Sequence, residues 1–460
     1  MILPEASIEN KLTTTSRKIP SLKGLPVLGS TFAALRNPLK FLTLLKKNYG
    51  DVVNVRVGAR EYSVIQSPEG CRHVLQENAK NYYKPGAAKM MKRFLGDGLA
   101  TSNGELWLKQ RRLIQPAFHR KKLDGLLNTI TNETDALIQT WKNCPEKAMD
   151  INQALLKLTL GNITKTMFGT DVKDNIDNIA FVVNKLLSSA SSSLTSLIRL
   201  PLSVPTPANI KFLNANREFE KIIYDIIERR KKETRETSND LLDLLLHAYD
   251  DESKTFMTAR QLRDEITTIF MAGHETTAQT LSWVFYQISL HPGVCRQINS
   301  EISGFGSDAY TLDSLQKMTY TKSVIEETMR MYPPVWLIAR KAYHDDEICG
   351  YVLPAGSTVL INVYGMNHDP LSWNEPELFD PSRFDPAKRT KHHPFQFIPF
   401  GGGQRICIGN LFAMMVMQVV VGKLVTAFDF EIPPGFKATP EPNVTLRARG
   451  GIRLIVKHHS

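Results

Sequence analysis

The alternation of apolar and polar positions divides the chain into unlike stretches. "DVVNVRVG" sets Val53, Val55 and Val57 at every second position, and "YSVIQS" follows a Gly/Arg turn. Together they predict a β-hairpin. From about residue 69 to 334 the apolar positions recur mostly at helical spacing. "REFEKIIYDIIERRKKETRE" predicts an amphipathic helix with a charged, solvated face. The stretch 258–292 predicts one apolar helix of about 50 Å, long enough to cross the molecule. Beyond Pro333-Pro334 the pattern changes. "ICGYVLPAGSTVLINVYGM" is β-branched and turn-rich and predicts short strands. Residues 366–400 are rich in Pro, Asp and Phe and lack periodicity. So long a loop marks a function or an unusual packing role. A helix from about Asn410 and terminal strands ("GIRLIVKH") complete the chain.

Strand-forming runs lie at both ends with helices between, and no internal repeat is present. The expectation is one interwoven unit over residues 20–460, preceded by a flexible polar leader over 1–19. "KIPSLKGLPVLGS" (18–30) opens that unit with Pro/Gly punctuation. The Ser- and Pro-rich segment 188–207 predicts a mobile connector between helices.

Composition narrows the class. Of 460 residues, 42% are hydrophobic and 22% charged, as in ordinary globular proteins. The longest apolar run, "LFAMMVMQVVV" (411–421), falls short of the roughly 18–20 residues of a membrane span and reads as a core helix. The N-terminus carries charges and prolines where a signal peptide has an apolar centre. Cys71, Cys144, Cys295, Cys349 and Cys407 form no CxxC pair and fit reduced thiols. A soluble cytoplasmic protein without a transmembrane anchor is expected. The net charge of +11 favours an acidic partner. No RNA-recognition, zinc-finger or helix-turn-helix signature accompanies it, so nucleic acid is not expected.

The candidate chemistry centres on "FIPFGGGQRICIGN" (397–410). Its single cysteine excludes the paired ligands of a zinc site. A cysteine just before a helix start sits in the positive field of that N-terminus, which favours the thiolate, a strong donor to metals. The glycines allow backbone N–H groups and a flat cofactor to approach closely. Arg405 supplies a charge for a carboxylate.

"FGGGQRICIG" (400–409) resembles the Phe-Gly-x-Gly-x-Arg-x-Cys-x-Gly signature of the cytochrome P-450 haem-thiolate monooxygenases at every fixed position. The resemblance implies Cys407 as the axial iron ligand, Arg405 on a haem propionate and Phe400 against the sulfur. "ETMR" (327–330) is similar to the family's Glu-x-x-Arg, with Glu327 and Arg330 on one helix face. "PSRF" (381–384) is similar to the motif that adds a third partner, Arg383, although Ser382 stands where the family usually has Glu. This trio is expected to be structural. "AGHETT" (272–277) resembles the oxygen-activation motif. There Gly273 would leave room for O2, Ala272 beside it would face the cofactor, and Thr276 would hydrogen-bond the preceding turn and open the helix locally. Glu275 would relay protons. His274 occupies the variable position and is expected to be satisfied or exposed, without a catalytic role. "WLKQRR" (107–112) is similar to Trp-x-x-x-Arg, which places Trp107 and Arg111 toward a propionate, and Arg340 stands where relatives carry another propionate-binding arginine.

The resemblance implies a mainly α fold with a small β lobe, haem b beneath a long central helix, and O2 as co-substrate. It implies insertion of one oxygen atom into a hydrophobic small molecule: a fatty acid, terpenoid, steroid or similar. Phe94, Ala272, Val335, Leu337, Ile338 and Val444, with the 188–207 connector, would line the substrate pocket. "GFGSDA" (304–309) fits a relaxed dinucleotide pattern but lacks the preceding strand, so it reads as a turn. With no nicotinamide- or flavin-binding region, electrons from NAD(P)H would come through a separate acidic ferredoxin or flavodoxin to a monomeric enzyme. The basic stretch 109–122 is its candidate dock. A haem-thiolate isomerase or dehydratase and a non-catalytic haem-binding sensor are the alternatives; the Glu275-Thr276 pair argues against the first.

Overall fold

The computed structural model describes residues 17–459 apart from 25–28, 86–91, 93, 145, 170–178, 180–181, 184, 187–202, 233–239, 251–253, 307–309 and 390–391. Most of the 188–207 connector, residues 307–309 of the "GFGSDA" stretch and the leader up to residue 16 therefore lie outside the described residues.

The helices that frame the site are α1 (Pro38–Tyr49), α2 (Gly104–Ile114), α3 (Leu127–Lys142), α4 (Ile151–Phe168), α5 (Pro207–Lys232), α6 (Ala259–Leu290), α7 (Pro292–Ser303), α8 (Thr319–Met331) and α9 (Asn410–Ala427). The 32-residue α6 is the predicted central helix. Its start is fixed by a capping box: Thr258 Oγ1 accepts from the Gln261 N–H at 3.2 Å, and the Thr258 N–H donates to Gln261 Oε1 at 2.9 Å. From Leu262 to Ile288 every residue of α6 is buried except Ala272, Gly273 and Thr276. Such burial makes an unpartnered polar side chain costly, and part of the helix's polar set is paired with α4. Asn152 on α4 donates to Gln279 Oε1 at 3.1 Å and to Ser282 Oγ at 3.0 Å. Thr159, also on α4, donates to the His274 carbonyl at 3.0 Å. These pairings run α4 antiparallel to α6. At the far end Trp283 stacks on Tyr332 with ring centroids 3.9 Å apart.

Among the described residues α9 is the one helix whose length and apolar content would suit a membrane span, but 67% of it is buried inside the protein. It packs as the core helix that its sequence predicts.

The β lobe is a five-stranded sheet in the order β1-β2-β5-β4-β3, from β1 (Val52–Val57), β2 (Arg60–Ile65), β3 (Tyr82–Tyr83), β4 (Ile338–Ala342) and β5 (Thr358–Ile361). The hairpin β1–β2 is antiparallel as predicted, and β2 runs parallel to β5 with Ile65 opposite Ile361. Strand Ala148–Asp150 pairs with the terminal strand Arg453–His458. Both contacts tie early to late chain. A hairpin of β6 (Pro440–Pro442) and β7 (Leu446–Ala448) closes over the molecule, its turn held by Trp336 Nε1 donating to the Asn443 carbonyl at 3.0 Å.

Two boundaries differ from expectation. Arg17 and Lys18 pair in parallel with Tyr351 and Val352, and Ile19 is buried, so residues 17–19 belong to the fold rather than to the leader. "VYGM" is helical (Val363–Asn367), because the Asn362 side chain accepts the Gly365 N–H at 2.8 Å and caps a helix start.

The irregular stretch 366–400 is held by side chains in place of a ladder. Glu327 and Arg330 are fully buried on α8, with Arg330 Nε to Glu327 Oε2 at 2.7 Å. Arg383 Nε reaches Glu327 Oε1 at 3.3 Å. Arg330 also donates to the Asn367 carbonyl at 2.7 Å, and Arg383 to the Glu375 carbonyl at 3.0 Å. The Asp380 N–H donates to Glu327 Oε1 at 3.0 Å.

Candidate active site

The loop before α9 is bent by its glycines. Gly401 and Gly403 have φ of 73° and 64°, in the left-handed region where side chains are strained. A Cβ on Gly403 would overlap the Leu75 carbonyl, and one on Gly402 would lie 2.5 Å from the Phe395 ring. Close backbone packing is therefore a reason for these glycines in its own right, beside the cofactor space expected from sequence. Leu75 belongs to a π-helical turn, His73–Glu77, of the kind that gathers at functional sites. That turn is anchored by His73 Nε2 to Asp346 Oδ2 at 2.9 Å, which raises the His73 pKa. Tyr82 shares the same carboxylate.

Within the loop the Cys407 N–H donates to the Phe400 carbonyl at 2.9 Å, and the half-buried Phe400 packs against the main core. The Cys407 side chain is solvent-reachable, yet surrounding protein pushes its pKa up. The Gly409 N–H, Arg111 and Lys84 pull it back down. The helix field alone does not produce a thiolate here, whereas a bound metal cation deprotonates a coordinating thiol outright. Arg111 Nη1 donates to the Ile406 carbonyl at 2.8 Å, so this arginine braces the cysteine loop itself.

Trp107, Arg405 and Arg340, far apart in sequence, line one cavity with Tyr82. The Arg405 guanidinium lies 4.3 Å from the Trp107 ring centroid and donates to the Ser102 carbonyl and to Asn103 Oδ1. Lys84 joins them. Sequence reasoning missed it because nothing local distinguishes a lysine after a short strand. Burial, with Arg340 and Arg405 nearby, pushes the Lys84 pKa down to about 7. Burial likewise lowers Arg340 and Arg405 to about 10. Among the described residues none of the three cations has an ion-pair partner. This cradle fits the two carboxylates of haem, and the exposed thiol of Cys407 is of the chemistry that would donate to its iron.

On α6, Thr276 Oγ1 donates to the Ala272 carbonyl at 2.6 Å as predicted, but the helix stays continuous through this turn. One added side-chain bond has not opened it. A Cβ on Gly273 would overlap Ile163 of α4, so that glycine serves helix packing, while the exposed Ala272 marks the open face. His274 is neither exposed nor satisfied: it is buried with no hydrogen-bond partner among the described residues within 3.5 Å of either ring nitrogen, and burial lowers its pKa to about 4. Glu275 is buried and accepts a hydrogen bond from Thr445 Oγ1 at 2.8 Å. Burial raises its pKa, opposed by Thr445 and Arg447. Thr445 was not legible in the sequence, 170 positions away.

Of the expected pocket residues, Ala272 and Val335 are exposed and Leu337, Ile338 and Val444 half-buried. Phe94 is buried, its ring 5.7 Å from that of Phe219 on α5.

A cysteine loop, a cationic cradle and a core helix with one open turn define a haem-thiolate site. The chain belongs to the cytochrome P450 family, whose model matches residues 19–455. It is 31% identical over 415 residues to cyclooctat-9-en-7-ol 5-monooxygenase of Streptomyces melanosporofaciens, covering 89% of each chain. It is 31% identical to cyclooctatin synthase of the same organism, covering 94% of each. Its fold is similar to that of the retinoic acid-bound cyanobacterial CYP120A1, with TM-score 0.86 and 25% identity over 96% of this chain and 100% of that one. The protein is a P450 monooxygenase that uses haem b and O2, takes electrons from a redox partner and acts on a hydrophobic substrate.

The glycine geometry predicts a graded effect. Gly401→Ala introduces backbone strain of about 1–2 kcal/mol and no collision. Gly403→Ala adds the overlap with Leu75 and lowers the haem content of the purified protein well below that of Gly401→Ala. Haem absorbance per polypeptide measures both; equal content would remove the packing argument.

Proposed function

We propose that this enzyme oxygenates a terpenoid-type substrate, by hydroxylation or epoxidation, as a cytoplasmic monomer formed by one unit that takes in residues 17–19 together with 20–460. NAD(P)H would supply electrons through an acidic ferredoxin or flavodoxin. The observation that carries the proposal is the open turn of α6, where Ala272, Gly273 and Thr276 alone escape burial between Leu262 and Ile288. The bond from Thr445, the neighbour of Val444, to Glu275, and the Leu446 N–H donating at 3.0 Å to the carbonyl of Pro334, the neighbour of Val335, support counting both valines in the pocket. The names of two similar proteins, cyclooctat-9-en-7-ol 5-monooxygenase and a retinoic acid-bound structure, both point to isoprenoid-derived skeletons.

Cys407 would hold the iron, Arg405, Arg340 and Trp107 the propionates, and Arg111 the shape of the cysteine loop. When bound, haem supplies electron transfer to O2 and O–O cleavage favoured by thiolate donation. The residues of α6 supply the protons. Glu275, with its pKa raised by burial, keeps a proton to higher pH than an ordinary carboxyl. The Thr276 hydroxyl, on the open face, would pass it on so that one oxygen leaves as water. The apolar walls exclude competing water and position the C–H or C=C bond.

Absorbance-shift titration of the ferric enzyme with geranylgeraniol, retinoic acid, cyclooctat-9-en-7-ol and dodecanoic acid tests the substrate class. The isoprenoids are expected to displace the iron-bound water at lower concentration; a preference for the fatty acid overturns the assignment.

Thr276→Ala is expected to retain haem yet release peroxide in place of product. Full coupling of product to electrons in that variant would remove Thr276 from proton delivery.

The basic stretch 109–122 is the proposed electron-donor dock. Lys109 and Arg112 engage Asp250, and Arg120 engages Asp313. Lys121 is exposed and Lys122 half-buried at its end. Replacing both with Glu is expected to slow reduction by ferredoxin at low salt, with the difference closing at high ionic strength. A rate unchanged by salt and by charge reversal would exclude this dock.

A further inference from the structure

We propose that Thr445 is a positioning residue for oxygen activation: its hydroxyl fixes the Glu275 carboxyl in the orientation from which the proton is released. The inference rests on the proposed proton-bearing role of Glu275 and adds a partner outside the central helix. Glu275 lies on α6 and is 8% exposed; Thr445 lies in the turn directly before β7 and is 5% exposed. At 2.8 Å the Thr445 Oγ1–H donates to Oε1 of Glu275, an alignment that selects one carboxyl oxygen. The threonine is itself held. Its carbonyl accepts the Asn443 N–H at 3.1 Å, and the next residue, Leu446, donates its N–H to the Pro334 carbonyl at 3.0 Å. Trp336 Nε1 clamps the Asn443 carbonyl at 3.0 Å. The same hairpin presents Arg447 toward the carboxyl, and Arg447 is fixed by Glu441 at 3.0 Å. A buried carboxyl on a helix would otherwise be free to turn about its side-chain torsions. A hydroxyl on a hairpin tied to the rest of the fold at Pro334 and Trp336 limits that freedom.

The chemistry gives a readout that needs no identified substrate. Turnover without substrate partitions O2 between two balanced routes: two electrons and two protons give hydrogen peroxide, or four electrons and four protons give two water molecules. Only the second requires ordered protonation that breaks the O–O bond. The experiment supplies the holoenzyme with NADPH, ferredoxin and ferredoxin reductase, and measures peroxide formed per NADPH consumed. The carbon-monoxide band of the reduced haem confirms an intact thiolate site in every variant.

Thr445→Val is expected to raise the ratio of peroxide to water about 10-fold, the factor carried by one hydrogen bond to a charged group. Thr445→Ser, which keeps the hydroxyl, is expected to restore the original ratio. The double variant of Thr445→Val and Glu275→Gln should partition as Glu275→Gln does alone, because both act through one group. If Glu275→Gln shifts the ratio and Thr445→Val does not, the positioning role is overturned and the Glu275 reading stands. If Glu275→Gln leaves the ratio unchanged, the reading of Glu275 fails and this inference fails with it. A Thr445→Ser variant as uncoupled as Thr445→Val would show that packing, not the hydroxyl, is what matters.

Discussion

The buried Glu327 carboxylate is the constraint on which the haem-side architecture rests. The chain between α8 and the cysteine loop includes an irregular stretch of some 35 residues, with little ladder to hold its backbone. Glu327 organises two guanidinium groups, and those groups then take carbonyls of Asn367, Glu375 and Leu378. One carboxylate thereby substitutes for a sheet edge. Neither Glu327 nor Arg330 is exposed at all, so removing one would strand the other in a low-dielectric interior. Breaking a pair of that kind costs about 3–5 kcal/mol, far more than a surface ion pair contributes. The stretch ends at the glycine-bent loop, whose own shape depends on the π-helical turn anchored by Asp346. Cys407 is therefore positioned by two buried carboxylates that never approach it.

The opposite wall obeys a different rule. A helix buried along almost its whole length should be apolar, yet α6 carries His274, Glu275, Thr276, Thr277, Gln279, Thr280 and Ser282 in succession. Three of these have an explanation in packing. Thr280 and Ser282 bond back to carbonyls one turn earlier, and Gln279 and Ser282 accept from Asn152. Glu275 and Thr276 stand apart, one tied to a remote hairpin and the other on the open turn. An acid bonded outside the helix and a hydroxyl on its open turn are what the proposed proton delivery draws on.

How much of this was legible depended on sequence distance. Partners three or four residues apart on a helix follow from helical geometry, so Glu327–Arg330 and the Thr276–Ala272 bond were readable directly. Element types were readable wherever the period was sustained, as in α6 and the β1–β2 hairpin. Asn362 shows the opposite case: a β-branched run ends in a helix because one side-chain cap outweighs strand propensity over five residues. The glycines were noticed but only partly explained, because the Leu75 carbonyl that Gly403 must clear lies more than 300 residues away. Lys84 and Thr445 carried no local signal at all. Each acquires meaning only from the chain that folding places beside it.

The cationic cradle shows what such distant partners do together. Lys84, Arg340 and Arg405 approach one another from three separate segments; burial disfavours the ionised form of each, and neighbouring guanidinium charge adds to this at Lys84 and Arg340. Native folds rarely concentrate unmatched charge without a ligand of opposite sign to meet it. Two carboxylates on the edge of an apolar ring match both the charge and the Trp107 and Tyr82 surfaces beside it. Binding such a ligand relieves repulsion among segments that the backbone brings together at a cost, so the cofactor would act as a cross-link of the fold as well as its reactive centre. The dependence is mutual: the chain must be nearly folded before the three cations can meet, and they sit most comfortably together only once an anion lies between them.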